Sequence, residues 1–356
     1  MASPTLSENT FTHSGDKTTF YWSAGPSQGP LVIFVHGWPA NGETWKPQLL
    51  ALAALGFRTI APDTRGYGRS SVPKNPSDYA LEHHVSDLLA LLVHLGRDKA
   101  VWIGHDWGAG LVSAFAAQRP QNCVAAAFIA VPYRMIDNGL EGAIALSNRE
   151  IYPEKEFPLA QWEYQAFHVE QPEASAAQLA ANVPGTIKAL YRPAGPDVYG
   201  KPSRLAFVRK AGGWWGGGAS APDLPFEGTL FAHDKPAFDR IVAEFEKNGF
   251  EGPNAYYLNH EANKKYAQTA PNGGRLSYPT LFIHAKWDGV CDTTLSNLMD
   301  PMREYCEDLT EVTIDAGHWV GQEAPDQTSA AIVRWIATKI PTYFPGYWKT
   351  PFVSKV

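Results

Sequence analysis

Short apolar runs alternate with segments of helical periodicity through the first third of the chain. Leu31–Val35, Ala100–Ile103 and Val124–Val131 are continuously apolar, the pattern of strands buried on both faces. Thr18–Ser23 and Phe57–Ile60 read as further strands, and the turn-rich AGPSQGP separates the first of them from Leu31. Three helices fall between the strands: Trp45–Leu55 stopping at Gly56, Leu81–Leu95 stopping at Gly96, and Gly108–Gln118 ending before Pro120. The pattern resumes near the end with strands Thr280–His284 and Glu311–Ile314 and a helix over Ala330–Lys339. Such alternation predicts an α/β protein, a parallel sheet covered by helices on both faces.

From about Met135 to Gln268 the pattern changes. Pro-rich joints, amphipathic stretches such as Ala237–Lys247 and the glycine run Gly212–Gly218 (GGWWGGG) replace the buried strands. The simplest account is one α/β core, residues 1–134 and 271–356, carrying a mainly helical lid over 135–270 that covers the strand ends. The glycine run is expected to be an exposed lid loop, with a mobile flap over the pocket as the other reading. No internal repeat is visible.

Composition narrows the function classes. A chain of 356 residues with 44% hydrophobic positions can bury a sizeable core, which excludes a disordered chain. The 30 basic residues are outnumbered by 36 acidic ones with no basic stripe, so no nucleic-acid or anionic-membrane partner is expected. Cys123, Cys291 and Cys306 form no CxxC pair and read as free thiols of a reducing compartment. The start MASPTLSENTFTHSGD has no basic or apolar signal pattern, and no apolar stretch is long enough for a membrane span. A cytoplasmic location is expected. The C-terminal Ser354-Lys355-Val356, an imperfect Ser-Lys-Leu, is the one pointer to the peroxisome.

The chemistry concentrates at a sharp turn. Val101-Trp102-Ile103-Gly104-His105-Asp106-Trp107-Gly108 runs from a buried strand through Gly-x-Asp-x-Gly directly into a helix. This is the spacing of a nucleophile elbow, with aspartate where serine is usual. A helix N-cap is the plain alternative for a lone Asp106. Three further segments argue against it. His36-Gly37-Trp38-Pro39 follows a strand and offers the Trp38 N–H, with that of Trp107, as an oxyanion hole. Asp288 and His318 each follow a later strand, giving the chain order nucleophile, acid, histidine. Asp137 and Asp292 are rival acids, and Cys291 is a bystander. The other histidines, His168 and His260 among them, show no metal-ligand spacing and read as loop or core residues. No metal or other cofactor is expected.

HGWP (His36–Pro39), DTRGYGRS (Asp63–Ser70), GHDWG (Gly104–Gly108) and DAGHW (Asp315–Trp319) together resemble the epoxide hydrolases of the α/β-hydrolase superfamily. The likeness covers nearly all of the chain outside the lid. It is specific to the aspartate-nucleophile branch, shared with haloalkane and haloacid-type dehalogenases. It implies an α/β-hydrolase fold with the lid inserted after the sixth strand, and two lid tyrosines that protonate the opening epoxide. Tyr164 in WEYQAF matches the first; Tyr257 in GPNAYYLN matches the second, with adjacent Tyr256 left open. Phe167, Trp38 and Trp107 are expected to contact substrate. Arg65 and Arg69 are expected to shape the loop beside the site.

An aspartate with an ordinary pKa of about 3.9 is already an anion and needs no base to attack a saturated carbon. His318, oriented by Asp288, then activates water against the resulting ester. The expected partner is a small-molecule epoxide, with a homodimer as the protein partner in view. Two other readings remain: a dehalogenase using the same nucleophile, for which Trp107 is a candidate halide ligand, and a non-catalytic hydrolase-like receptor.

Overall fold

The computed structural model describes residues 4–346; the C-terminal Ser354-Lys355-Val356 lies outside them. Eight strands form one sheet: β1 (Ser7–His13), β2 (Lys17–Ala24), β3 (Leu31–Val35), β4 (Arg58–Pro62), β5 (Ala100–His105), β6 (Cys123–Ile129), β7 (Leu276–Ala285) and β8 (Cys306–Ile314). Their order is β1-β2-β4-β3-β5-β6-β7-β8. The pairs β1–β2 and β2–β4 are antiparallel and all others parallel.

Side-chain alternation divides the apolar strands between two cores. In β3, Leu31, Ile33 and Val35 face one layer, while Val32 and Phe34 face the other. Every β3 side chain is at most 1% exposed, so each contributes roughly 1.5–3 kcal/mol of apolar burial. Helices α1 (Lys46–Ala54), α2 (Leu81–His94) and α3 (Trp107–Gln118) come from the first half of the chain. Leu49 and Leu52 of α1 lie in one layer, and the buried faces of α2 and α3 in the other.

Between β6 and β7 the chain makes α4 (Gly139–Ala145), α5 (Glu163–Glu170), α6 (Pro172–Ala180), α7 (Val183–Leu190), α8 (Lys235–Asn248), α9 (Glu251–Ala255) and α10 (His260–Ala267). After β7 follow α11 (Asp300–Tyr305), α12 (Val320–Glu323) and α13 (Pro325–Lys339), the last packing with α1. Among the described residues no helix is long and apolar enough to cross a membrane.

β7 begins at Leu276, four residues before the expected Thr280, and two edge strands depart further from the sequence pattern. β1 carries a single buried residue, Phe11, and owes its place to the ladder with β2; an edge strand with one apolar side chain gives no hydrophobic run. β8 starts at Cys306 rather than Glu311 because CEDLT is half-exposed at the opposite edge.

The intervening segment is bolted to the core by polar contacts. Arg240 of α8 pairs with buried Glu43, Lys46 with Asp234 at 2.7 Å, and Asn41 with Glu244 at 2.7 Å. Nearer the strand ends, the Tyr191 hydroxyl donates to Pro39 O at 2.6 Å and the Trp319 indole to Leu190 O at 2.8 Å. The loops after β3 and β8 are thus each tied to the segment above them.

Candidate active site

Asp106 sits between β5 and α3 with φ +53° and ψ −127°. A non-glycine residue there stores strain of about 1–3 kcal/mol, which the surrounding packing must hold. The packing is tight because strand and helix nearly touch. A Cβ on Gly108 would collide with the Val35 and His36 carbonyls, and one on Gly37 with the Asp106 side chain itself. The glycines of HGWP and GHDWG therefore bring the two loops against one carboxylate.

That carboxylate is divided between two partners. Trp38 N–H donates to Oδ1 at 2.7 Å, while His318 Nε2 lies 3.5 Å from Oδ2. His318 Nδ1–H donates to Asp288 Oδ2 at 2.9 Å. The other oxygen of Asp288 accepts from the N–H groups of Val290 (2.7 Å) and Cys291 (3.1 Å), which fixes its orientation. All three triad positions, and Trp38, follow the C-terminal ends of parallel strands β3, β5, β7 and β8, where α/β sheets gather their sites.

Burial and charge oppose each other here. Burial pushes the Asp106 carboxyl up, but hydrogen bonding and charge from His318, with His105 and the Trp107 N–H, hold it below the usual value. Burial would likewise lower His318, yet the Asp288 and Asp106 carboxylates raise it to about 10. Charge and hydrogen bonding from both sides thus favour the protonated imidazole of His318.

Tyr164 on α5 and Tyr257 just after α9 meet edge to face, ring centres 5.8 Å apart. Burial first, and the Asp106 charge next for Tyr164, raise both phenols, so both stay protonated. Gln165 Nε2 donates to the Tyr164 hydroxyl at 3.1 Å. Tyr257 stacks on His168 at 4.5 Å and meets Trp107 edge-on at 5.1 Å. Tyr256 points elsewhere: its hydroxyl donates to Thr64 Oγ1 (2.9 Å) and Arg65 O (2.8 Å) in the core.

A cleft opens beside Asp106 and includes Trp107, Tyr164, Gln165 and Cys291 in its wall. Phe167, expected at the substrate, is buried but does not belong to that wall. Three residues beyond Tyr164 on α5, it lies about 4.5 Å further along the axis and joins the apolar core. The Trp38 side chain is also absent from the wall. Its indole N–H donates to Asn254 Oδ1 at 3.0 Å, and its ring lies against Trp214 and Tyr257.

The rival residues are occupied. Asp137 lies 3.6 Å from Arg134, and Asp292 accepts from the N–H groups of Thr294 and Leu295. Arg65 is locked on Asp87 and the Asp78 carbonyl, and Arg69 on Glu8 and the Phe20 ring. The glycine run is anchored through its tryptophans. Trp214 stacks on Trp38 at 5.3 Å and donates to Ser175, while Trp215 donates to the Gln178 carbonyl.

Sequence reasoning did not single out Glu323. Its carboxylate accepts from the N–H groups of Gly317 (2.8 Å), Trp319 (3.0 Å) and Ala194 (3.1 Å), holding the loop that carries His318. No spacing rule signals such a loop anchor.

Residues 30–325 match the family model described as alpha/beta hydrolase fold. An epoxide hydrolase of Caballeronia sordidicola is 32% identical over 320 residues, covering 87% of this chain and 88% of that protein. The chain belongs to the epoxide hydrolases of the α/β-hydrolase fold. This chain is also 30% identical over 311 residues to the bifunctional epoxide hydrolase 2 of Sus scrofa, covering 87% of this chain. The chain spans about half of that longer protein, 52% of its length. Among solved structures, epoxide hydrolase A from Mycobacterium thermoresistibile superposes with a TM-score of 0.68 at 27% identity, covering 94% of this chain and 99% of that one.

Proposed function

We propose that this protein hydrolyses an epoxide to a vicinal diol through an ester of Asp106, with the segment between β6 and β7 as its lid. The observation that carries the reading is the division of the Asp106 carboxylate. One oxygen is held by the Trp38 N–H, and the other lies toward His318.

In the first step Oδ2 attacks an epoxide carbon, a C–O bond forms, and the ring C–O bond breaks. The leaving oxygen takes a proton from Tyr164 or Tyr257, since a phenol is a stronger acid than an alcohol. In the second step water attacks the ester carbonyl and gives its proton to His318. The negative charge passes to Oδ1, which the Trp38 and Trp107 N–H groups stabilise. Collapse breaks the ester C–O bond, the departing oxygen takes the proton from His318 to complete the diol, and the regenerated Asp106 carboxyl, now holding the water oxygen, returns its own proton to the histidine.

The charges suit this sequence. Esterification removes the Asp106 charge and hydrogen bond, two of the influences that raise His318. The histidine then passes its proton to the phenolate left by the first step and becomes a base when one is needed. A halide leaves without a proton, whereas the paired phenols of Tyr164 and Tyr257 supply the proton that an alkoxide requires.

A single turnover with excess enzyme in heavy-oxygen water tests the mechanism. The first diol is expected to carry unlabelled oxygen from Asp106, with label appearing in later turnovers. Label in that first diol overturns the ester, and halide release from haloalkanes without epoxide turnover overturns the substrate class.

The tyrosines give a separate result. Tyr164→Phe with Tyr257→Phe is expected to slow alkylation by about 10²–10³-fold, the cost of losing aligned donors at a developing oxyanion. Each single variant should lose less, because one phenol remains. A loss of only a few-fold in the double variant, read by rapid-quench alkylation rates, removes both from the proton-donor role.

A further inference from the structure

His260, the first residue of α10, lies in the wall of the same cleft as Asp106 and Tyr164. Both of its ring nitrogens are buried and have no hydrogen-bond partner in the protein. The other imidazoles near the site are engaged. His36 donates to Gly37 O and accepts from Thr64; His105 donates to His318 O; His168 accepts from Ser175. Among the described residues His260 is the one imidazole with both nitrogens in this condition.

A buried polar atom without a partner costs about 1–3 kcal/mol, and the neighbouring wall offers nothing to reduce that cost. Val131, Met135, Ile136, Ala143 and Val290 are apolar, and Gly139 adds no side chain. The cleft is therefore an apolar passage with two polar stations, the Asp106–Tyr164 chemistry and the His260 ring. We propose that His260 is a substrate-recognition residue that hydrogen-bonds a neutral oxygen on the tail of the epoxide, a hydroxyl or ether carried beyond an apolar linker. This assignment rests on the epoxide hydrolase reading above.

The wall itself argues for a neutral oxygen over a carboxylate. It contains no lysine or arginine, and its one carboxylate, Asp106, repels an anionic tail. Burial also disfavours an imidazolium at His260. A neutral imidazole presents one donor and one acceptor on diverging edges, so a hydroxyl can pair with either nitrogen and an ether with the donor alone.

The test compares terminal epoxyalkanes with their ω-hydroxyl counterparts across a series of chain lengths. At one length the wild-type enzyme should favour the hydroxylated substrate in kcat/KM by about tenfold, the worth of one buried hydrogen bond. His260→Leu should abolish that preference while leaving the plain epoxyalkane as good a substrate or better. His260→Gln, which keeps a donor and an acceptor, should retain part of it.

Equal loss on both series in His260→Leu, or no preference at any length in the wild type, overturns the assignment. Failure of the wild type to open any epoxide instead overturns the parent reading. The two are separated by dissociation constants for the corresponding diols, with and without the ω-hydroxyl, read from tryptophan fluorescence. An ω-hydroxyl preference that His260→Leu erases supports the contact without turnover, and equal affinities in the wild type overturn it.

Discussion

Asp106→Asn is expected to lower kcat by about four orders of magnitude or more, the scale seen when an essential nucleophile is removed. The substitution is close to isosteric. Asparagine keeps an oxygen to accept the Trp38 N–H bond that Asp106 Oδ1 receives at 2.7 Å. It also tolerates a positive φ better than most side chains, so the elbow at φ +53° need not relax. What disappears is the anion. A neutral amide does not displace an epoxide oxygen, and no other carboxylate lines the cleft. Loss of activity with an unchanged urea midpoint is the expected pair of results. Activity above about one per cent would mean that Asp106 is not the attacking group.

His318→Gln is expected to separate the two half-reactions. Asp106 needs no base to attack, so alkylation should proceed while hydrolysis of the ester slows by about 10³–10⁴-fold. The enzyme should then give one turnover per site and stop. Intact-mass measurement should show the protein heavier by one substrate, and the mass should vanish when Asp106→Asn is added. Steady turnover without an adduct would exclude the ester. Removing His318 also removes the cation between Asp106 and Asp288. Some loss of alkylation rate is compatible with the scheme, provided the adduct still accumulates.

Much of the scaffold was legible because buried parallel strands leave apolar runs that survive any lid. LVIFV and the strand before GHDWG needed no partner to be recognised, since every position in them is buried. The edges were less legible. In SENTFTH only Phe11 is buried, and CEDLT of β8 is half-exposed, so pairing and not hydrophobicity made those segments strands. The elbow was readable for a covalent reason, because two close backbone approaches demand Gly104 and Gly108 at fixed spacing. The segment between β6 and β7 was legible only as a change of pattern. Its short helices owe their packing to contacts such as Tyr191 with Pro39 and Trp214 with Trp38, which link residues far apart in the chain.

Tyr256 and Tyr257 mark the boundary between the two kinds of information. The sequence offered two adjacent phenols and favoured Tyr257 by its flanking residues, with Tyr256 left open. The fold turns one hydroxyl into the core against Thr64 and Arg65, and it sets the other ring against Trp107 and Tyr164. Phe167 and the Trp38 indole, like Tyr257, lie outside the cleft wall. His260 entered that wall although the sequence marked it as an ordinary histidine.

The sequence by itself determined the α/β core, the elbow aspartate and the order of the candidate triad, because strand runs and glycine turns are local constraints that the chain carries at fixed spacing. Only the tertiary structure decided which side chains face the cleft. That outcome depends on how helices separated by tens of residues rotate against one another, and a rotation of one position moves a side chain about 100° around its axis.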